Sequence, residues 1–149
     1  MANVYVRSGA GGAGTGADWA NAYVTLAAAL TAKSAGDVFY VSEDHAETAA
    51  ALTTLTPPGT AASPNLIYCV DHLGTVPPVS ADLRTTATIT TTGTNGITLG
   101  GGYAYVYGII FNCGTGAGAA SLSLGSTTSW WSLNSCALKL LATGAGAFA

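Results

Sequence analysis

The chain has 149 residues, which is enough for one domain with a sizeable core. Only 7% of the residues are charged while 49% are hydrophobic, and the net charge of −3 comes without a cluster of Lys or Arg. These values exclude a disordered tail, and they give no electrostatic footprint for a nucleic-acid-binding protein.

The first 35 residues predict a strand, a loop and a helix. Residues 4–6 (Val-Tyr-Val) predict the strand, and the Gly/Ala-rich residues 8–16 predict the loop. Asp18 is a suitable N-cap for an amphipathic helix over residues 19–33, and Gly36 is its natural stop. The helix face that we expect to be buried carries Trp19, Tyr23, Leu26 and Leu30, which recur at helical spacing.

Short apolar strands follow, and from about residue 95 the chain is periodic. Residues 38–41 predict a strand directly after Gly36 and Asp37, and residues 66–70 predict the next strand, after the breakers Pro57-Pro58-Gly59 and Ser63-Pro64. Ile97-Thr98-Leu99-Gly100 recurs as Leu122-Ser123-Leu124-Gly125, an offset of 25 residues that also places Trp130-Trp131 over Tyr105-Val106 and Cys136 over Phe111. A repeat of this length without a helical segment predicts stacked β-units. We therefore expect residues 36–149 to be the first coils of a β-solenoid that continues beyond the given chain.

Three segments stand in order within the first 45 residues: Val4-Tyr5-Val6, Gly16-Ala17-Asp18-Trp19-Ala20-Asn21-Ala22-Tyr23 and Ala35-Gly36-Asp37-Val38-Phe39-Tyr40-Val41. Together they resemble the N-terminal entry of pectin-lyase-like right-handed parallel β-helix proteins, and Gly108-Ile109-Ile110-Phe111-Asn112 resembles the recurrent coil element of that family. The resemblance implies an all-β, right-handed parallel β-helix whose open end is capped by the N-terminal α-helix. Many proteins with such an opening resemble phage structural proteins.

A glycine-rich motif, Gly9-x-Gly11-x-x-Gly14, follows the first strand and precedes the helix, as in dinucleotide-binding proteins. Residues 15–18 separate these glycines from the predicted helix, and Asp18 would place a carboxylate where a pyrophosphate binds. We therefore interpret the motif as a connector and expect no cofactor.

Histidines and carboxylates occur in two places. Glu43-Asp44-His45 with Glu47 could serve acid/base catalysis or bind a metal, but a solvated turn is the simpler interpretation. Cys69-x-x-His72 could supply two zinc ligands, but no second pair completes a site, so we expect a buried thiol beside an exposed imidazole. We expect no catalytic residue and no metal site, and we expect the three cysteines to be reduced and buried.

The most informative side chains are the aromatic residues of the periodic half. In a strand over residues 103–107, Ala104 and Val106 share one face. If that face is the core, Tyr105 lies outside with Trp130 stacked on it. The interpretations left open are burial of both faces, a glycan-binding ladder, and contact with another subunit. We favour subunit contact because few polar residues surround the row, and the predicted interaction surface is Tyr103, Tyr105, Tyr107 and Trp130.

From Leu83 onward only Arg84 and Lys139 are charged, so this half is expected to need a partner. We expect a non-enzymatic structural protein of a phage virion, most specifically a capsid decoration or cement protein. Its expected partners are its own subunits, as a homotrimer, and a major capsid or tail protein. The alternatives are a tailspike or tail fibre that binds or degrades host polysaccharide, and an enzyme whose catalytic coils lie beyond residue 149.

The N-terminus and the apolar runs bear on location. Met1 opens directly onto the first strand, without the basic and apolar regions of a leader, and no apolar run is long enough to span a membrane. We therefore expect a protein made in a host cytoplasm and incorporated into the virion, with neither nucleic acid nor membrane as a partner.

Overall fold

The computed structural model describes residues 1–125, 128–144 and 146–148, in which β-strand is the main regular secondary structure. In chain order the strands are β1 (Asn3–Val6), β2 (Val38–Ser42), β3 (Ala46–Ala49), β4 (Thr53–Leu55), β5 (Asn65–Val70), β6 (Ala87–Thr91), β7 (Ile97–Leu99), β8 (Tyr103–Tyr107), β9 (Ile109–Cys113), β10 (Ser121–Leu124), β11 (Trp130–Asn134), β12 (Ala137–Leu140) and β13 (Ala147–Phe148). An α-helix, α1 (Leu26–Ala32), follows β1, and a short 3₁₀-helix (Ser80–Asp82) follows β5. Within these ranges no helix combines the length and the apolar character of a membrane span.

The strands form three sheets in which neighbouring strands run parallel. The first sheet has the order β1-β2-β5-β8-β11, the second β3-β6-β9-β12 and the third β4-β7-β10-β13. From β2 onward the chain visits the first, second and third sheets in turn, and we call each such passage a circuit. The strands 4–6, 38–41 and 66–70 that the sequence predicts are confirmed as β1, β2 and β5.

A cluster of inward-facing side chains forms the core between the sheets. Successive circuits place apolar residues at matching register positions, so Phe39 lies beside Ile67, and Ile89 lies beside Phe111. The residues that alternate with these core residues along each strand point to the outer face of the sheet. Buried and half-buried residues therefore alternate along β8 and β9. The core is therefore shared by all circuits.

The helix begins later than the sequence predicts. Tyr23 forms a parallel bridge with Val6, in which its N–H donates to the Tyr5 carbonyl (2.9 Å) and its carbonyl accepts from the Arg7 N–H (2.8 Å). These bonds hold Tyr23 in an extended conformation, so residues 19–25 are not helical. Thr25, not Asp18, is the N-cap, and its hydroxyl accepts from the Ala28 N–H at 3.2 Å.

The four residues predicted to cap the core are therefore not on one helix face. Leu26 and Leu30 are fully buried in the core cluster, and Tyr23 packs against it partly buried. Trp19 lies in a turn and contacts Tyr5 edge to face, with ring centroids 4.8 Å apart. Because Tyr5 alternates with the core residues of β1, Trp19 covers the outer face of the first sheet.

The repeat offset also differs between sheets. The predicted value of 25 holds between β7 and β10 of the third sheet, where Ile97 pairs with Leu122. In the first sheet Trp130 pairs with Tyr103 instead of Tyr105, and Trp131 with Ala104 instead of Val106. The cause is the connection from the third to the first sheet, which is residues 100–102 in one circuit and the longer 125–129 in the next.

The same shift carries into the second sheet. Phe111 pairs with Leu138, and Cys136, which the constant offset places over Phe111, precedes β12. Strand pairing therefore sets each sheet's register independently of a constant repeat length.

Candidate functional site

Aromatic side chains cover the outer face of the first sheet. The tyrosine face, as we call it, consists of Tyr40, Tyr68, Tyr103, Tyr105 and Tyr107 together with Trp130. The tyrosines are half-buried, and Trp130 is 50% exposed. Ala104 and Val106, which alternate with the β8 tyrosines, are fully buried in the core. The four residues of the predicted interaction surface thus all lie on this outer face.

Neighbouring rings of this face contact one another across the strands. The Tyr68 and Tyr105 ring centroids are 5.9 Å apart, and Tyr40 lies 5.7 Å from the buried Tyr5. Burial raises the pKa of Tyr40 and of Tyr68, so both phenols stay neutral hydrogen-bond donors at neutral pH. Tyr40 and Tyr68 are not part of the predicted interaction surface, although they alternate with apolar residues in residues 38–41 and 66–70 as the tyrosines of β8 do.

A cavity of about 400 Å³ opens beside two of these tyrosines. Residues 71–86, which connect β5 to β6, pass alongside the tyrosine face at this point. Two phenol rings, one serine hydroxyl and aliphatic side chains line the cavity: Tyr40, Tyr68, Val70, Pro78, Val79, Ser80 and Leu83. Such a lining suits an uncharged group with an apolar side.

The titratable side chains gather at the corner between the first and second sheets. The connections at this corner are residues 43–45, 71–86, 108 and 135–136 in the four circuits. The shortest is Gly108, which has a φ of 78° and whose Cβ, if present, would meet the Arg84 carbonyl. The first two connections carry both histidines of the chain.

His45 and Glu47 are buried, so the predicted solvated turn is wrong for both. The Ser8 N–H donates to His45 Nδ1 at 2.9 Å, which leaves the proton on Nε2, 3.3 Å from Glu47 Oε2. The same Glu47 oxygen accepts from the Leu26 N–H at 2.9 Å. These bonds join the entry loop, the corner and the start of α1, and they leave His45 inaccessible to a substrate.

Asp44 is the exposed member of this segment and forms an ion pair with Arg7. Arg7 Nη2 lies 2.6 Å from Asp44 Oδ2, and Arg7 Nε donates to the same carboxylate. The hydrogen bonds from Arg7 are the main reason why the pKa of Asp44 falls to about 2. The pair ties the end of β1 to the corner.

Glu43 joins a different group, formed with Asp71 and His72 of the next circuit. Its Oε1 lies 2.8 Å from His72 Nδ1, and its Oε2 accepts from the His72 N–H at 2.7 Å. His72 is half-buried, so the predicted exposed imidazole is wrong. Asp71 accepts from Arg84 Nη2 at 2.8 Å and from the Leu73 N–H at 2.9 Å.

The cysteines take no part in this group. Cys69 is fully buried in the core cluster, so it does not pair with His72 as a zinc ligand. Burial raises the pKa of the Cys69 thiol and of the Cys136 thiol. All three cysteines are unpaired thiols, but Cys136 is only half-buried, whereas Cys69 and Cys113 are buried as expected.

The glycine-rich motif lies in the loop after β1. α1 begins at Leu26, well beyond Gly14, so no helix N-terminus follows these glycines directly. This agrees with their interpretation as a connector.

Comparison of the chain with protein-family models, with curated proteins and with solved structures found no match. Its function is therefore inferred from its own side chains, of which the tyrosine face and the corner between the first two sheets are the candidate sites.

Proposed function

We propose that the protein is a non-enzymatic structural protein of a phage virion, folded as a right-handed parallel β-helix. Three parallel sheets visited in a constant order support the β-helix. The position of α1 supports the capping role proposed for it, because Leu26, Ala29 and Leu30 lie in the core cluster and the helix packs against β1 and β4.

The observation that carries the structural role is the tyrosine face. Its tyrosines and the half-exposed Trp130 lie on the outer face of neighbouring strands of the first sheet. From Leu83 onward the sequence offers only Arg84 and Lys139 to keep neighbouring surface soluble. Large exposed apolar areas are uncommon on monomers, so this face is best explained by burial against another chain.

The proposed partners are two. Threefold packing of parallel β-helices would bury the tyrosine face symmetrically in a homotrimer. Trimers of this kind would then bind a major capsid or tail protein as a decoration or cement protein of the particle, after synthesis in the host cytoplasm. The proposal requires no cofactor and involves neither nucleic acid nor a membrane.

Tyr105→Ser combined with Trp130→Ser tests the assembly. The wild type should sediment as a trimer, and the double variant should dissociate to monomers while its circular dichroism spectrum is unchanged. Leu52→Ser is the matched control, because Leu52 is exposed but lies between β3 and β4, away from the first sheet. A monomeric wild type, or a double variant that still forms trimers, would contradict the proposal.

The cavity beside Tyr40 and Tyr68 favours a second candidate function, that of a tailspike or tail fibre that binds host polysaccharide. Tyrosine rings with free hydroxyls can stack on a sugar ring and orient it. Host oligosaccharides that perturb the Tyr68 resonances in the wild type but not in a Tyr40→Ala variant would favour this candidate. Release of shortened oligosaccharides would add a degrading activity.

A further inference from the structure

Glu43, Asp71 and His72 bring three metal-binding side chains together at one corner. One ligand atom from each lies within 4.8 Å of the others, and all three side chains are half-buried. The register of the first sheet explains the convergence, because Ser42 pairs with Val70 and the next residues, Glu43 and Asp71, leave the two strands side by side. Glu43 and Asp71 lie one full circuit apart in the sequence, which is why pairwise spacing does not indicate the group.

Backbone hydrogen bonds hold the group in place. The Glu43 N–H donates to the Val70 carbonyl at 2.8 Å, and the Asp71 N–H donates to the Asp82 carbonyl at 2.7 Å. Trp19 packs edge to face against the His72 ring, with centroids 6.0 Å apart. The backbone of Glu43 and Asp71 and the ring of His72 are therefore held in place before an ion binds.

The hydrogen bond between Glu43 and His72 marks the position of the ion. Glu43 Oε1 and His72 Nδ1 are 2.8 Å apart with a proton between them, and a metal ion can replace that proton. Glu43 Oε2 remains bonded to the His72 N–H, so the carboxylate keeps its orientation. Binding at Nδ1 therefore requires that the neutral His72 ring carries its one proton on Nε2.

We propose that Glu43, Asp71 and His72 bind a divalent transition-metal ion of the zinc type, with water in the fourth position. One imidazole nitrogen and two carboxylate oxygens match zinc, whereas an oxygen-only group would match calcium or magnesium. The two carboxylates balance the charge of the ion. This site is independent of the proposed virion role, since it needs only residues of one chain.

Arg84 provides a test of the electrostatics. Its guanidinium pairs with Asp71 at 2.8 Å and opposes a cation at the same carboxylate. Arg84→Gln should therefore tighten zinc binding, whereas a group that serves only as an ion-pair network would gain no affinity for zinc from that change.

The wild-type chain allows a direct measurement, because it has only two histidines. Zinc added to chelator-treated protein should shift the imidazole signals of one histidine only. The His72 ring resonances should move in proton–nitrogen spectra. Those of His45, which is buried and bonded to Ser8 and Glu47, should stay unchanged. Equal shifts of both histidines, or none at about 1 mM zinc, would overturn the site.

Variants then assign the ligands by calorimetric titration with zinc. His72→Gln and Glu43→Gln should each raise the Kd for zinc by more than about tenfold. Asp18→Asn, which removes one negative charge outside the group, should change the Kd by less than about twofold. Calcium should not displace zinc. Unchanged affinity in His72→Gln, with the wild-type circular dichroism spectrum, would also refute the proposal.

Discussion

Removing the Leu30 side chain tests whether α1 stabilises the end of the core. Leu30 is 1% exposed and lies in the core cluster together with Leu26. Leu→Ala at a buried site lowers the free energy of unfolding by about 2–5 kcal/mol. α1 contacts the sheets through β1 and β4 and lies at one end of the stack, so it can settle partly into the space. We therefore expect the lower half of that range, about 2–3.5 kcal/mol.

Urea unfolding followed by circular dichroism measures this loss. In thermal unfolding of a chain of this size, the midpoint temperature should fall by roughly 6–10 °C. Val24→Ala is the matched control, because Val24 is 49% exposed just before the helix and should cost less than about 0.5 kcal/mol. If Leu30→Ala were as stable as Val24→Ala, the packing of α1 on the core would be refuted.

Three further predictions concern the corner. Asp44→Asn should lower stability by up to about 1 kcal/mol, because Asp44 is 43% exposed to solvent. The folded-state pKa of Asp44 is about 2, which is below the usual value of 3.8. The contribution of the ion pair to stability is therefore present above pH 4 and is lost as the pH falls toward 2, so the acid unfolding curves of wild type and variant should converge. Gly108→Ala should cost about 2 kcal/mol or more in urea unfolding, since the residue has a positive φ and no room for a Cβ. Glu47→Leu should cost about 2–4 kcal/mol, because two buried N–H groups lose their acceptor, whereas Glu47→Gln keeps an acceptor and should cost clearly less.

The sequence predicts β1, β2 and β5, but it does not predict the start of the helix. Apolar alternation and flanking breakers located β1, β2 and β5 correctly. Residues 19–25 also have helical spacing, yet the bridge between Tyr23 and Val6 gives this segment backbone hydrogen bonds to β1 instead. That competition depends on a tertiary contact that local periodicity does not contain.

The grouping of the charged residues was equally beyond local spacing. The sequence presents Glu43, Asp44, His45 and Glu47 as one segment, but a chain at a corner sends successive side chains in different directions. Glu43 consequently joins the next circuit, Asp44 joins Arg7, and His45 and Glu47 turn inward. Only the pairing of strands from different circuits determines which of them meet.

The unequal connections at the corner between the first two sheets have an evolutionary consequence. One circuit turns this corner with Gly108 alone, while another uses residues 71–86, and the flanking strands stay paired in both cases. The fold therefore separates the part of the chain that maintains stability from a part that is free to lengthen. Segments inserted at 71–86 can be gained, lost or exchanged without repacking the core, so new recognition elements can arise there on an unchanged scaffold.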